Sequence, residues 1–280
     1  LTAQPSKNVT ATLVVSNQKT EQGDTFSVSP SPTQLVHTAP NDSRRSSTTD
    51  FSSLTVDMKL GGHTLTSITG YWHHKGSALI DDTELFGSVG LPLPQVYRPQ
   101  TSDAKASSQE LRIASNPGGS VSYVIGAFYQ SSKSGGTGKQ IDPSGAFGIT
   151  TLVDLTSKGT GTEKAVFADA EVQLGGGWSA GLGGRYYRTT TESTQTGTQF
   201  GAPSNLGPLS SSDSGFTPKA ALKYRFGDNL WFATASKGYR YGGRNGPPTN
   251  DEYKSDSLWS YETGLRLTPA AGLQVDVSAF

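Results

Sequence analysis

The sequence predicts an all-β fold: an antiparallel transmembrane β-barrel, incomplete, with long outer loops on one rim and short turns on the other. Two observations carry this. Residues 163–174 (EKAVFADAEVQL), 178–187 (WSAGLGGRYY) and 216–226 (FTPKAALKYRF) alternate apolar with polar side chains, each over about ten residues, the length that crosses a bilayer at a tilt. A period of two gives a strand two different faces, here Val166, Ala168, Ala170, Val172 and Leu174 against Asp169, Glu171 and Gln173. The second observation is rhythm. Short turns alternate with polar stretches of roughly twenty to forty residues, which compact domains rarely hold in such number and membrane barrels hold routinely. One oily and one charged face suit a wall between hydrocarbon and water.

Composition agrees. Only 33% of residues are hydrophobic, mean hydropathy is −0.43, and Gly contributes 34 of 280 residues, a balance that leans toward turns and strands. Formal net charge is zero, which argues against a nucleic-acid partner, because such binders carry a basic surplus. Cysteine is absent, excluding disulfide scaffolds, zinc–thiolate sites and cysteine catalysis. Residues 1–10 lack the basic and apolar regions of a signal peptide. No run approaches the roughly 18 apolar residues of a membrane helix, a test to which membrane-crossing strands are invisible.

Taken in order, residues 7–18 (KNVTATLVVSNQ) form the first full strand, with 4–6 read as a tight turn and 1–3 as the end of an earlier strand. A polar loop runs to Phe51. Residues 54–60 (LTVDMKL) turn at 61–63 into 64–72 (TLTSITGYW), and 73–107 read as a second long loop. Residues 108–115 (SQELRIAS) turn at 116–119 into 121–131 (VSYVIGAFYQS), followed by a third loop to 162. A fourth loop spans 188–215, after which 216–226 turn into 230–241 (LWFATASKGYRY). A fifth, containing Pro247 and Pro248, leads to 258–267 (LWSYETGLRL) and then 273–280 (LQVDVSAF). About eleven strands result, where single-chain barrels use even numbers. Leu273, Val275 and Val277 sit on the opposite parity from Phe280, so Phe280 reads as an arbitrary stop inside a strand.

Several of these segments, in their order and spacing, resemble the barrel of TonB-dependent outer-membrane receptors. They are QPSKNVTATLVVSNQKTEQGD (4–24), LTSITGY (65–71), SQELRIAS (108–115), YVIGAFYQ (123–130) and EKAVFADAEVQL (163–174). FTPKAALKYRF (216–226), ATASKGYRYGGRN (233–245) and SYETGLRLTP (260–269) complete the set. The resemblance implies a closed barrel of about twenty-two strands around an N-terminal plug. Residues 1–280 would then be a partial barrel domain, with plug, signal peptide and C-terminal strands absent. It further implies location in the bacterial outer membrane, no enzymatic activity and no cofactor. The implied task is active import of a scarce nutrient, a ferric siderophore first. Implied partners are that nutrient, outer-membrane lipid, and the TonB–ExbB–ExbD complex acting through the missing plug.

Tyr239, Arg240, Tyr241 and Arg244, where a strand enters an outer loop, are the candidate ligand contacts. Tyr supplies a flat face with a hydroxyl, and Arg grips carboxylate or catecholate oxygen; the alternative is an interface belt with lumen arginines. Lys219, Lys223 and Arg225 form a basic stripe that serves an anionic ligand or balances carboxylates of the plug or a neighbouring strand. Asp169 and Glu171 share a face as acid–base pairs do. No Ser–His constellation accompanies them, so they read as hydrated wall. His73, His74, Asp81 and Asp82 are metal-ligand types, but adjacent strand histidines point to opposite faces, and no metal site is predicted. Trp72, Trp178, Trp231 and Trp259 read as interface anchors, and Gly242–Gly243 lacks the context of a phosphate loop.

Two rival readings make different predictions. A passive porin or autotransporter barrel would have no plug encoded upstream. A soluble β-rich adhesin or carbohydrate-binding module would pack its apolar strand faces between two sheets. The barrel reading predicts an open sheet with an apolar outer face, two unpaired edges, and disordered or loosely packed outer loops.

Overall fold

The structure, a computed structural model, describes residues 1–23, 41–244 and 252–280. Asp24 of the first resembling segment, Asn245, and the Pro247–Pro248 pair fall outside the described residues. Twelve strands follow one another as an antiparallel meander: β1 (Thr2–Ser6), β2 (Val9–Gln22), β3 (Arg44–Leu60), β4 (His63–Asp81), β5 (Tyr97–Ser115), β6 (Val121–Ile141), β7 (Thr151–Gly175), β8 (Trp178–Gln199), β10 (Leu206–Phe226), β11 (Asn229–Arg240), β14 (Asp256–Ala270) and β15 (Leu273–Ala279). The two-residue β9 (Ala202–Pro203) adds to β8, while β12 (Gly243–Arg244) and β13 (Glu252–Tyr253) pair with each other. A single short helix, α1 (Thr83–Ser88), lies among the described connections. β1 and β15 each have one neighbour, so the sheet is open at both edges.

Short turns set the register. Gly61, Gly227 and Gly272 take φ of 61°, 59° and 79°, a left-handed region that suits glycine and tight hairpins. From Gly61 the ladder runs unbroken: β3 and β4 pair from Leu60↔His63 to Arg44↔Leu79. Cross-strand partners share a face, so the alternation seen in β7 propagates across the sheet. One face, here the outer face, carries Val166, Leu174 and Leu182, which are 58%, 60% and 72% exposed. The other, inner face carries Asp169, Glu171, Lys219 and Lys223. Buried hydrophobic residues among those described are few: Phe86, Val96, Leu152, Ala165 and Tyr187. Among the described residues no second sheet covers the oily face, which contradicts the sandwich expected of a soluble module.

The strands are much longer than their alternation. β7 has 25 residues, β8 22, β6 and β10 21 each, whereas about ten suffice to cross a bilayer. Residues 73–81, 97–107, 132–141, 151–162, 188–199 and 206–215, expected as loop, are strand. Their Ser, Thr and Gly side chains meet water on both faces, so no apolar alternation marks them, while the backbone ladder continues. The turn expected at 4–6 is also strand, and the chain reverses at Lys7–Asn8 instead.

The outer connections are not loosely packed where they are described. Phe86, Val96 and Leu152 form a small core with Leu91, Leu93, Ile149 and Val153 packed against it. Asp82 beside it is buried and accepts from Arg98 Nη2 at 3.2 Å and Gln140 Nε2 at 3.1 Å. Asp142 is fully buried and takes the Ser144 hydroxyl at 2.6 Å and two backbone N–H groups.

Candidate functional site

The inner face of β7, β8 and β10 is a row of ion pairs. Lys223 Nζ lies 2.5 Å from Glu171 Oε2, and Lys219 Nζ 3.8 Å from Asp169 Oδ2. These residues belong to strands separated by β8, so both lysines reach across a whole strand. Glycine makes that reach possible: a Cβ on Gly183 would stand 2.2 Å from the Asp169 carboxylate. Glu171 also accepts from Ser179 Oγ at 2.9 Å. Lys219 and Lys223 of the basic stripe are thus each balanced by a carboxylate of β7, and Asp169 and Glu171 each face a lysine.

Higher on the same face the arrangement changes. Glu163 pairs with Arg185, whose guanidinium carbon lies 5.1 Å from the ring centre of Phe128, within cation–π range. Tyr241 donates its hydroxyl to Glu163 Oε2 at 2.6 Å, and Tyr239 donates to Tyr241 at 3.1 Å. The Tyr239 ring is stacked on Tyr187, centroids 3.6 Å apart and planes 8° from parallel. Tyr187 is 3% exposed and lies over Gly215, where a Cβ would come 2.6 Å from its hydroxyl.

This cluster exists because a ladder stops. β10 and β11 pair from Phe226↔Asn229 up to Lys219↔Ser236 and no further. The next residue up β10 is Pro218, which has no N–H to donate. Counting by twos from Trp231 places Tyr239 on the outer face. Freed of β10, the upper end of β11 turns, and Tyr239 and Tyr241 meet inner-face Tyr187 and Glu163 instead. Burial, then the bond to Glu163, push the Tyr241 phenol well above its ordinary value. It therefore stays a neutral donor.

Of the four predicted contacts, the structure brings Tyr239 and Tyr241 together. Arg240 points elsewhere: it forks onto Asp256, with Nε and Nη2 at 3.2 and 2.5 Å, and its side chain is 81% exposed. Arg244 pairs through its backbone with Glu252. Glu163, Arg185, Tyr187 and Phe128 went unnoticed in the sequence. The signal available for Arg185 and Tyr187 was parity, since they alternate with Trp178, Leu182 and Tyr186.

The tryptophans divide. Trp178 stacks with Tyr224 at 4.6 Å and meets Trp231 edge-on at 6.1 Å on the outer face near the short turns, as anchors do. Trp72 is different: β4 continues to Asp81, so it is not near a strand end, and it stacks on His74 on the inner face at 5.9 Å. His73 turns outward to Asp103, 3.1 Å away. Asp81 accepts from the backbone N–H groups of Asn41 and Thr83. No cluster of three or more His, Cys, Asp or Glu residues is placed to hold a metal among the described residues.

The family model for TonB dependent receptor-like β-barrels matches residues 3–280. Solved structures with the same fold include the ferric yersiniabactin uptake receptor FyuA from Yersinia pestis, with TM-score 0.78 and 17% identity over 97% of this chain and 42% of that one. The siderophore receptor PiuA from Acinetobacter baumannii gives 0.69 and 12% over 97% and 47%. The alcaligin receptor FauA from Bordetella pertussis gives 0.60 and 13% over 99% and 41%. No curated protein matches the chain. At these identities the likeness is one of fold, and the chain spans less than half the length of each of the three receptors.

Proposed function

Because this chain belongs to the TonB-dependent receptor β-barrel family, we propose that it supplies part of the wall of an outer-membrane receptor that imports a scarce nutrient, a ferric siderophore first among the candidates. The wall performs no covalent chemistry. In the full-length receptor the plug and the remaining strands complete the pore, and TonB–ExbB–ExbD pulls on the plug to open it. The apolar outer face, left uncovered along the sheet, supports placing these strands against lipid.

The single observation that carries the ligand site is the Tyr187–Tyr239–Tyr241–Glu163 chain. It combines a flat aromatic stack, phenolic donors and a guanidinium on one wall of the lumen, above the balanced ion pairs. A ferric chelate offers planar rings and oxygen acceptors to such a surface. Tyr239 and Tyr241 are the contacts proposed here, with Arg185 beside them and buried Tyr187 as the ring on which Tyr239 rests. Arg240, engaged with Asp256, and Arg244 belong to the rim through which the ligand would pass.

The test is uptake of radiolabelled ferric chelates by cells carrying the full-length receptor, with and without TonB. Uptake that needs TonB and falls in a Tyr187→Ala/Tyr241→Ala variant supports the proposal. Uptake that persists without TonB assigns the protein to passive channels.

A further inference from the structure

The split between β10 and β11 leaves a strand edge open. A two-residue turn closes this hairpin at Phe226↔Asn229, so hydrogen-bonded pairs recur at every second residue. Even-numbered residues of β10 therefore turn their N–H and C=O toward β11, and odd-numbered ones toward β8. The next such pair would join Pro218 to Lys237, and it is missing. Above it Ser210, Ser212, Ser214 and Phe216 still aim their backbone groups at the place β11 has left. Among the described residues no strand and no backbone group takes them up. Ser214 and Phe216 on one side, with Lys237 and Tyr239 on the other, line a cavity of about 160 Å³ in the split.

Three features set this edge apart. Unlike the edges of β1 and β15, it lies within the sheet, between β8 and β11. Proteins blunt exposed edges with Lys, Pro or bulges, yet residues 209–217 (LSSSDSGFT) contain no Lys, Arg or Pro and keep one unbroken register with β8. At the centre of the edge, Asp213 Oδ2 is buried and meets no donor among the described residues. Buried polar atoms rarely go unpaired, and a carboxylate is among the costliest to leave so. An antiparallel strand laid against the edge puts one side chain opposite Asp213 and on the same face. A basic side chain there supplies the missing donor in charge-assisted form.

We propose that the upper edge of β10, residues 209–217, is a docking edge for an extended peptide, which adds to the sheet as a strand and carries a basic side chain opposite Asp213. The inference goes beyond chelate import and does not depend on it.

The test is fluorescence anisotropy with the full-length receptor in detergent micelles. The probe is a fluorescein-labelled peptide of alternating Thr and Val with a central Lys. One control replaces that Lys by Glu, and another is N-methylated at every amide. Wild-type receptor should bind the Lys peptide about tenfold more tightly than the Glu peptide, and should not bind the N-methylated one, which cannot donate to a ladder. Ser214→Pro removes an N–H from the open edge and none from the β8 ladder, and should weaken binding about fivefold. Asp213→Asn should keep binding but lose the preference for Lys over Glu. Heat-modifiability on gels reports that each variant still folds, and the N-methylated peptide tests the edge with wild-type protein alone. No binding by the wild type, equal binding of the Lys and Glu peptides, or undiminished binding after N-methylation or in Ser214→Pro overturns the docking edge. TonB-dependent chelate uptake would stand through any of these outcomes, and its own failure would leave the edge standing.

Discussion

The lower and upper ends of the β10–β11 hairpin are built on different principles. Up to Lys219↔Ser236 the pairing register is continuous, and a continuous register alternates side chains between the two faces. Above them β10 and β11 part, each still paired on its other side, β10 with β8 and β11 with β14 as far as Arg240↔Asp256, and across the gap a few side chains decide the geometry: Tyr187 under Tyr239, Tyr241 on Glu163. A backbone ladder is indifferent to which side chains it carries, so it tolerates substitution except where a neighbour has no room. A cluster held by single contacts should tolerate almost none at its own positions while costing the fold little. Each of the following changes breaks or sharpens that difference.

The largest effect on folding belongs to the ladder. Gly126 faces Phe167, and a Cβ there would stand 2.4 Å from that ring and 2.9 Å from the Leu111 carbonyl oxygen. The ring can move but the backbone cannot move cheaply. Gly126→Val is expected to cost about 1–3 kcal/mol and to reduce folded receptor in the outer membrane, read by heat-modifiability. Wild-type yield would show that the strand separation adjusts more freely than a regular ladder allows.

Gly215→Val probes the other principle. It lifts Tyr187 off β10 and separates it from Tyr239, while the β8–β10 ladder at Gly215↔Tyr187 remains. Losing an aromatic pair costs about 0.5–1.5 kcal/mol, so chelate affinity should fall up to roughly tenfold at near-normal receptor yield. Tyr241→Phe is milder. It removes one hydroxyl from Glu163, worth about 1 kcal/mol, and should weaken chelate binding about fivefold in equilibrium titration. Lys223→Met in the balanced row should do least to either readout. Glu171 keeps Ser179, and the two side chains are 39% and 30% exposed, so a loss under about 1 kcal/mol is expected after solvent screening. A chelate-affinity loss as large as that of Tyr241→Phe would place the lysine row in the ligand site after all.

The same division explains what could be read from the chain alone. Where lipid wets one face and water the other, the sequence must alternate, and 163–174, 178–187 and 216–226 display their faces openly. Those faces put charge on one side of each strand, but the pairing of Lys223 with Glu171 depends on the register across β8. Above the membrane both faces are wet, so 151–162 and 188–199 carry no alternation and passed for loop although they are strand. Tyr239 and Tyr241 were recognisable as aromatics at a strand end. Their partners were not, because Glu163 is remote in sequence and contact depends on a ladder ending beside Pro218. Trp72 misled for the same reason as the loops, since a strand end was assumed where the strand continues.

Asp142 offers a test in which a single side chain holds backbone with no ladder at all. Its carboxylate takes the Ser144 hydroxyl and the N–H groups of Ser144 and Ala146, at 2.6, 2.9 and 3.1 Å, and so shapes residues 142–150. The Ser144 hydroxyl, opposed by burial and aided by the two N–H groups, holds its carboxyl below the usual range. A group whose pKa is depressed by folding contributes stability above its unfolded value and loses it as pH falls through the folded one. Protection of the Ser144 and Ala146 amides from hydrogen exchange, corrected for intrinsic rates, should therefore be flat from pH 7 to 5. It should fall only below about pH 4, the range of a free Asp. The ladder amides of β6 and β7, whose bonds have no titrating acceptor, should hold through the same range. Loss of protection already near pH 6, or simultaneous loss in the ladder, would mean that the connection is held by something other than this carboxylate.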